Sequence, residues 1–213
     1  MIRRMIFALA LALPAVAHAD ARLCEQAAAE AARRSGVPGD VMQALTLTET
    51  GRRQGGELRP WPWAINHAGE GHWFATQPEA MQYAQTALAQ GMRNFDVGCF
   101  QLNHRWHGEH FSDLTAMFDP LTNALYAARF LREQYDRHGD WALAAGAYHS
   151  NTPEFADRYR QRFEALYAGN LPEPTLLAAA EPRVNHFPLL RGGTGMGGSL
   201  VPLGGASQRL IGN

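Results

Sequence analysis

Apolar residues recur at helical spacing through most of this chain. Residues 22–34 combine alanine with charge, a strong helix-forming composition, and the pattern stops near Ser35-Gly36. Pro38 opens a second helix that runs to about Thr50, with Gly51 as its stop. On that helix Val41, Leu45 and Glu49 are spaced by four, so Glu49 continues the apolar stripe instead of joining the solvent face. A stretch rich in Gly, Pro and Trp follows over 55–76. Within it, residues 63–66 and 71–75 flank His67-Ala68-Gly69-Glu70 and predict a small β-hairpin. Further helices are predicted over 77–91, 99–106, 120–138, 140–150 and 153–167. Each has one buried face, marked in 120–138 by Leu121, Leu125, Ala128, Leu131 and Tyr135. The pattern describes a mainly α domain with a small β excursion after the second helix.

The two ends differ from this middle. Met1-Ile2-Arg3-Arg4, an apolar run over 5–16 and Ala17-His18-Ala19 have the layout of a secretory signal peptide cut after Ala19. The apolar run is shorter than the ~20 residues a membrane-spanning helix needs. Ala21-Arg22-Leu23 before Cys24 lacks the small-residue context of a lipid anchor, so no membrane anchor is expected. Residues 20–168 form the expected domain. Residues 169–213, with several prolines and the run Gly192-Gly193-Thr194-Gly195-Met196-Gly197-Gly198, read as a flexible tail. Leu189-Leu190 and Leu200-Val201 in that tail are candidate docking points for a partner.

Charge narrows the partners. The chain carries 19 basic and 20 acidic residues, a net charge of −1. Without Arg3 and Arg4 the balance is 17 to 20, or −3. Such a surface favours neither nucleic acid nor an anionic membrane as partner. Cys24 and Cys99 are the only cysteines. In an oxidising compartment an even count favours a disulfide, and two thiolates do not complete a four-ligand zinc site.

The chemistry centres on Glu49. Partial burial and the negative end of the helix dipole both oppose ionisation there, which suits a general acid. In Gly98-Cys99-Phe100-Gln101-Leu102-Asn103, the amides of Gln101 and Asn103 supply paired donors and acceptors suited to sugar hydroxyls or an N-acetyl group. Tyr148 is expected to place a phenol beside the carboxyl. Trp61, Trp63, Trp73 and Trp106 offer flat faces for sugar rings. Asp96 reads either as the N-cap of a helix beginning at Val97 or as a second carboxylate. His104, His107 and His110 are spaced by three, but Gly108 interrupts them and no His-Glu-x-x-His run accompanies them, so neither metal nor cofactor is expected.

Glu49-Thr50-Gly51, the block 98–103 and Ala145-Gly146-Ala147-Tyr148-His149 together resemble the three signature blocks of the soluble lytic transglycosylase (SLT) domain, which has a lysozyme-like fold. The resemblance covers about 22–167 and is nearest to the small exported type associated with flagellar or secretion-system assembly. It departs in three places. Thr50 stands for the usual serine, Cys99-Phe100 for Leu-Met, and His149-Ser150 for Asn-Ala. It implies cleavage of the MurNAc–GlcNAc β-1,4 bond of peptidoglycan in the periplasm, with 1,6-anhydro ends as product and Glu49 as catalytic acid and base. Asn66, Thr50, Phe100, Gln101, Asn103, Tyr148 and His149 are the expected glycan contacts. A flagellar or secretion-system component is the expected partner of the tail. The alternatives are a hydrolytic muramidase with Asp96 as its second carboxylate, and a glycan-binding assembly factor without catalysis.

Overall fold

The computed structural model describes residues 16–169, with side chains from Asp20 onward. Most of the expected signal peptide and nearly all of the expected tail lie outside the described residues.

Helix α1 (Val16–Ser35) buries Ala21, Cys24, Ala27, Ala28 and Ala31 on one face. These small side chains let it lie closely on α6 (Pro120–His138), which answers with Ala124, Ala127, Ala128 and Leu131. Helix α2 (Gly39–Thr50) runs through the centre, packed on α1 and α8 (Pro153–Tyr167). The predicted stripe is present, but burial extends around the helix to Met42, Ala44, Thr46, Thr48 and Thr50. A helix covered on all sides is a core helix. It ends at Gly51, whose N–H donates to the Leu47 carbonyl at 2.9 Å. A Cβ at Gly51 would fall 2.3 Å from that carbonyl oxygen. Close approach, not a left-handed backbone, therefore demands glycine there.

The β structure is richer than the single predicted hairpin. β1 (Arg52–Gln54) pairs with β2 (Glu57–Arg59) immediately after α2. The predicted hairpin is present as β3 (Ala64–His67) and β4 (Glu70–Trp73). It is joined by β5 (Phe95–Val97) and β6 (Leu102–Asn103) in an antiparallel sheet ordered β4-β3-β5-β6. Ile65, Val97 and Leu102 align across the sheet and are buried in the core. Asn66, Asp96 and Asn103 align as the neighbouring row, one residue out of phase and so on the opposite face.

No helix spans 99–106. Gly98 (φ 78°) and Gln101 (φ 46°) are left-handed, and Leu102-Asn103 pair with β5. Helix begins only at α4 (His104–His107), where the Asn103 side chain accepts from Arg105 N–H at 3.0 Å. Asn103 thus takes the capping role predicted for Asp96, which is a strand residue. A 3-10 turn (Gly108–His110) and α5 (Leu114–Phe118), absent from the sequence pattern, lead into α6. The helices α3 (Gln77–Ala89), α6, α7 (Trp141–His149) and α8 lie where periodicity placed them.

Cys24 of α1 is bonded to Cys99 in the turn before β6, with the two Cα atoms 5.5 Å apart. The bridge closes a separation of 75 residues. Its removal is expected to lower the unfolding free energy by about 4 kcal/mol on the chain-entropy account. Urea unfolding with and without reductant measures this, and coincident curves would show that the bridge contributes nothing.

Candidate active site

Glu49 is 8 % exposed, at the last turn of α2. Its Oε1 accepts a hydrogen bond from the Tyr159 hydroxyl at 2.6 Å. Tyr159 comes from α8, is itself buried, and carries the His149 imidazole stacked on its ring. Tyr148, predicted to place its hydroxyl beside the carboxyl, is half-buried on α7. That hydroxyl donates to the Phe100 carbonyl at 2.8 Å, holding the turn after Gly98.

The turn 98–101 is fastened from several directions. The Thr46 hydroxyl donates to the Cys99 carbonyl at 2.9 Å, and the Thr50 hydroxyl lies 3.3 Å from the same oxygen. Thr50 Oγ1 also accepts from Trp61 N–H at 3.1 Å. Asn123 of α6, fully buried, accepts from Phe100 N–H at 3.0 Å and donates to the carbonyls of Met117 and Val97. A Cβ on Gly98 would meet the Asn123 amide at 2.9 Å, so the glycine is required by both space and backbone conformation.

The predicted glycan contacts differ in their exposure. Thr50 (1 % exposed) and Phe100 (0 %) are sealed inside, so they shape the site without lining it. Gln101 is half-buried, and its Nε2 donates to the carbonyls of Ala64 and Gly98. Asn103 Nδ2 donates to Asn94 Oδ1 at 3.0 Å and to Asp96 Oδ1 at 2.8 Å. The amide donors predicted for sugar thus brace the sheet edge. Asn66 is buried in β3 opposite Asp96, and His149 is half-buried at the end of α7. Of the four tryptophans offered for sugar rings, Trp61 and Trp63 belong to the core, whereas Trp73 (49 %) and Trp106 (54 %) are exposed. Tyr159 and Asn123 were missed. Asn123 lies on the buried face of α6 with Ala127, Leu131 and Gln134 at spacings of four, four and three, so a polar residue on a core stripe was its available signal.

A Thr50→Val substitution removes a hydroxyl that serves three buried partners. It is expected to cost about 1–3 kcal/mol of stability, while Thr50→Ser keeps most of it. Denaturant midpoints of the two variants test this, and equal midpoints would contradict it.

The three histidines of 104–110 do not converge. His104 stacks on Phe95, His107 Nδ1 bonds the Tyr126 hydroxyl at 2.9 Å, and His110 stacks on Tyr126. Among the described residues no group of three or more His, Cys, Asp or Glu is placed to hold a metal ion. Burial, first among the causes, holds His67, His104 and His107 below the ordinary imidazole value of 6.5. The sign follows from linkage. Above 6.5 these imidazoles are neutral in both states and contribute nothing. As pH falls below that value the unfolded chain binds protons first, and the fold loses stability until the lower folded-state values are passed. Urea midpoints compared at about pH 7.5 and about pH 5.5 should show the loss, and substituting His107 by Gln should reduce it.

The family comparison agrees with this geometry. The transglycosylase SLT domain matches residues 75–167, from the start of α3 to the end of α8. It therefore includes the 98–103 turn, Asn123, Tyr148 and Tyr159, and begins downstream of Glu49. No curated protein and no solved structure matches the chain. Residues 75–167 thus match the SLT domain, whose family are lytic transglycosylases acting on peptidoglycan, and the mainly helical fold is consistent with a lysozyme-like domain.

Proposed function

We propose that Glu49 is the single catalytic carboxyl of this enzyme, cutting the MurNAc–GlcNAc β-1,4 bond and leaving 1,6-anhydro-MurNAc ends. The observation that carries the reading is a carboxyl buried at a helix end whose Oε1 accepts a hydrogen bond from a buried phenol, one residue before the Thr50 that fastens the 98–101 turn. With Oε1 accepting from Tyr159, the proton of the acid form belongs on Oε2. Glu49 gives that proton to O4 of the leaving GlcNAc while the C1–O4 bond breaks. The substrate's own N-acetyl oxygen supports the anomeric carbon meanwhile. The carboxylate then takes the proton of the C6 hydroxyl as O6 bonds to C1. Glu49 ends as it began, and no water is consumed.

Asp96 supports a second reading. It stands in β5 within the polar row Asn66–Asp96–Asn103 instead of capping a helix, which suits the second carboxylate of a hydrolytic muramidase. Trp106, exposed on α4 just after Asn103 with the Arg105 guanidinium 4.9 Å from its ring centroid, is the proposed platform for a sugar ring. Export to the periplasm and opening of the wall for an envelope-spanning assembly belong to the same proposal. Residues 1–19 support the first, and the tail from 169 onward supports contact with a flagellar or secretion-system component.

Glu49→Gln is expected to reduce clearance of purified cell wall by at least roughly 10²-fold with sugar binding retained. Unchanged clearance would remove Glu49 from the role. Mass spectrometry of wild-type products is expected to show anhydro ends. Reducing ends, abolished by Asp96→Asn, would establish the muramidase.

A further inference from the structure

The hydroxyl that holds Glu49 is only as well aimed as the ring that carries it. Conjugation keeps a phenolic O–H in the plane of its ring, so the plane of Tyr159 sets where its proton points. That plane is matched by the His149 imidazole, whose centroid lies 4.4 Å away with the rings 12° apart. The packing that brings them together is built in. A Cβ on Gly146 would fall 2.9 Å from the Ala156 carbonyl, so this glycine lets α7 close on α8, one turn before His149 and Tyr159 meet. His149 follows directly on Tyr148, which fastens the 98–101 turn from the same helix.

We propose that His149 is a positioning residue that acts on Glu49 through Tyr159, not a contact to the glycan. The face of the imidazole restrains the phenol plane, the phenol directs its hydrogen to Oε1, and the carboxyl is thereby held in one orientation for both proton transfers. The proposal rests on the reading of Glu49 as the acid. It assigns to the stacked face of residue 149 a role that a small amide at that position could not fill, whereas any flat aromatic ring could.

The test is a kinetic cycle on a soluble MurNAc–GlcNAc oligosaccharide, with folding of each variant checked by thermal melting. His149→Ala is expected to lower kcat roughly tenfold, the scale set by small misplacement of a catalytic group. KM should stay within about twofold, because no substrate contact is removed. His149→Phe should restore kcat, since it stacks without titrating or hydrogen-bonding. In a Tyr159→Phe background, with the hydroxyl gone, His149→Ala should have no further effect on kcat. A rise in KM at constant kcat would overturn the proposal in favour of glycan contact. Losses that multiply across the cycle would overturn it in favour of an independent structural role. Should the alanine variant not fold, His149→Asn against His149→Phe decides. Loss with Asn and retention with Phe supports the proposal, and equal activities sink it. Glu49→Gln run alongside separates the two readings. Activity in that variant removes the acid assignment itself, whereas an inactive Glu49→Gln with a multiplying cycle removes only His149.

Discussion

The site depends on the fixation of one carbonyl-rich turn, 98–101, against the end of α2. Two threonine hydroxyls of that helix converge on the Cys99 carbonyl, and a disulfide ties the same residue to α1. Asn123 and Tyr148 take the Phe100 N–H and carbonyl from α6 and α7. Such a turn carries backbone groups that helix or sheet would otherwise satisfy, and burying them without partners would be costly. The partners come from four different helices. Forming the turn therefore requires α1, α2, α6 and α7 to be in place already, and the carboxyl beside it inherits that rigidity.

This arrangement also explains two departures from the family pattern. Threonine at position 50 keeps the hydroxyl of the usual serine, and here that hydroxyl works on Cys99, Thr46 and Trp61, all within the protein. The added methyl sits in a core position that is 1 % exposed. Cys99, where the resemblance leads one to expect leucine, supplies a covalent tie to α1.

The helices were readable because their period is local. Val41, Leu45 and Glu49 share a face whatever the rest of the chain does, and Gly51 and Pro120 punctuate in the expected way. The hairpin β3–β4 was readable from its turn. The segment 99–106 was misread because its short apolar run fits a helix as well as anything else. Its route is dictated by tertiary partners that no window of sequence contains. Tyr159 lies 110 residues from Glu49, so its hydrogen bond had no local trace. Asn103 took the capping role expected of Asp96 because a cap is defined by where the helix starts, and that start was displaced by the left-handed Gln101. Such a backbone angle at a non-glycine residue costs energy and persists only where its surroundings enforce it. Its amide bonds to Ala64 and Gly98 are that enforcement.

The identity of the partner to Glu49 bears on a mechanism with one carboxyl. An arginine in the place of Tyr159 would grip both oxygens and hold them ionised. A second carboxylate in such a buried spot would repel the first. A phenol engages through a single hydrogen and adds no charge, which suits the proposal that the same group stands as acid before bond cleavage and as base after it. The remaining requirement of the proposed mechanism is orientation, since in it a lone carboxyl serves two oxygens of the substrate from one place. The architecture answers with packing: a glycine that lets two helices close, an imidazole laid on a ring, and a turn held from four helices.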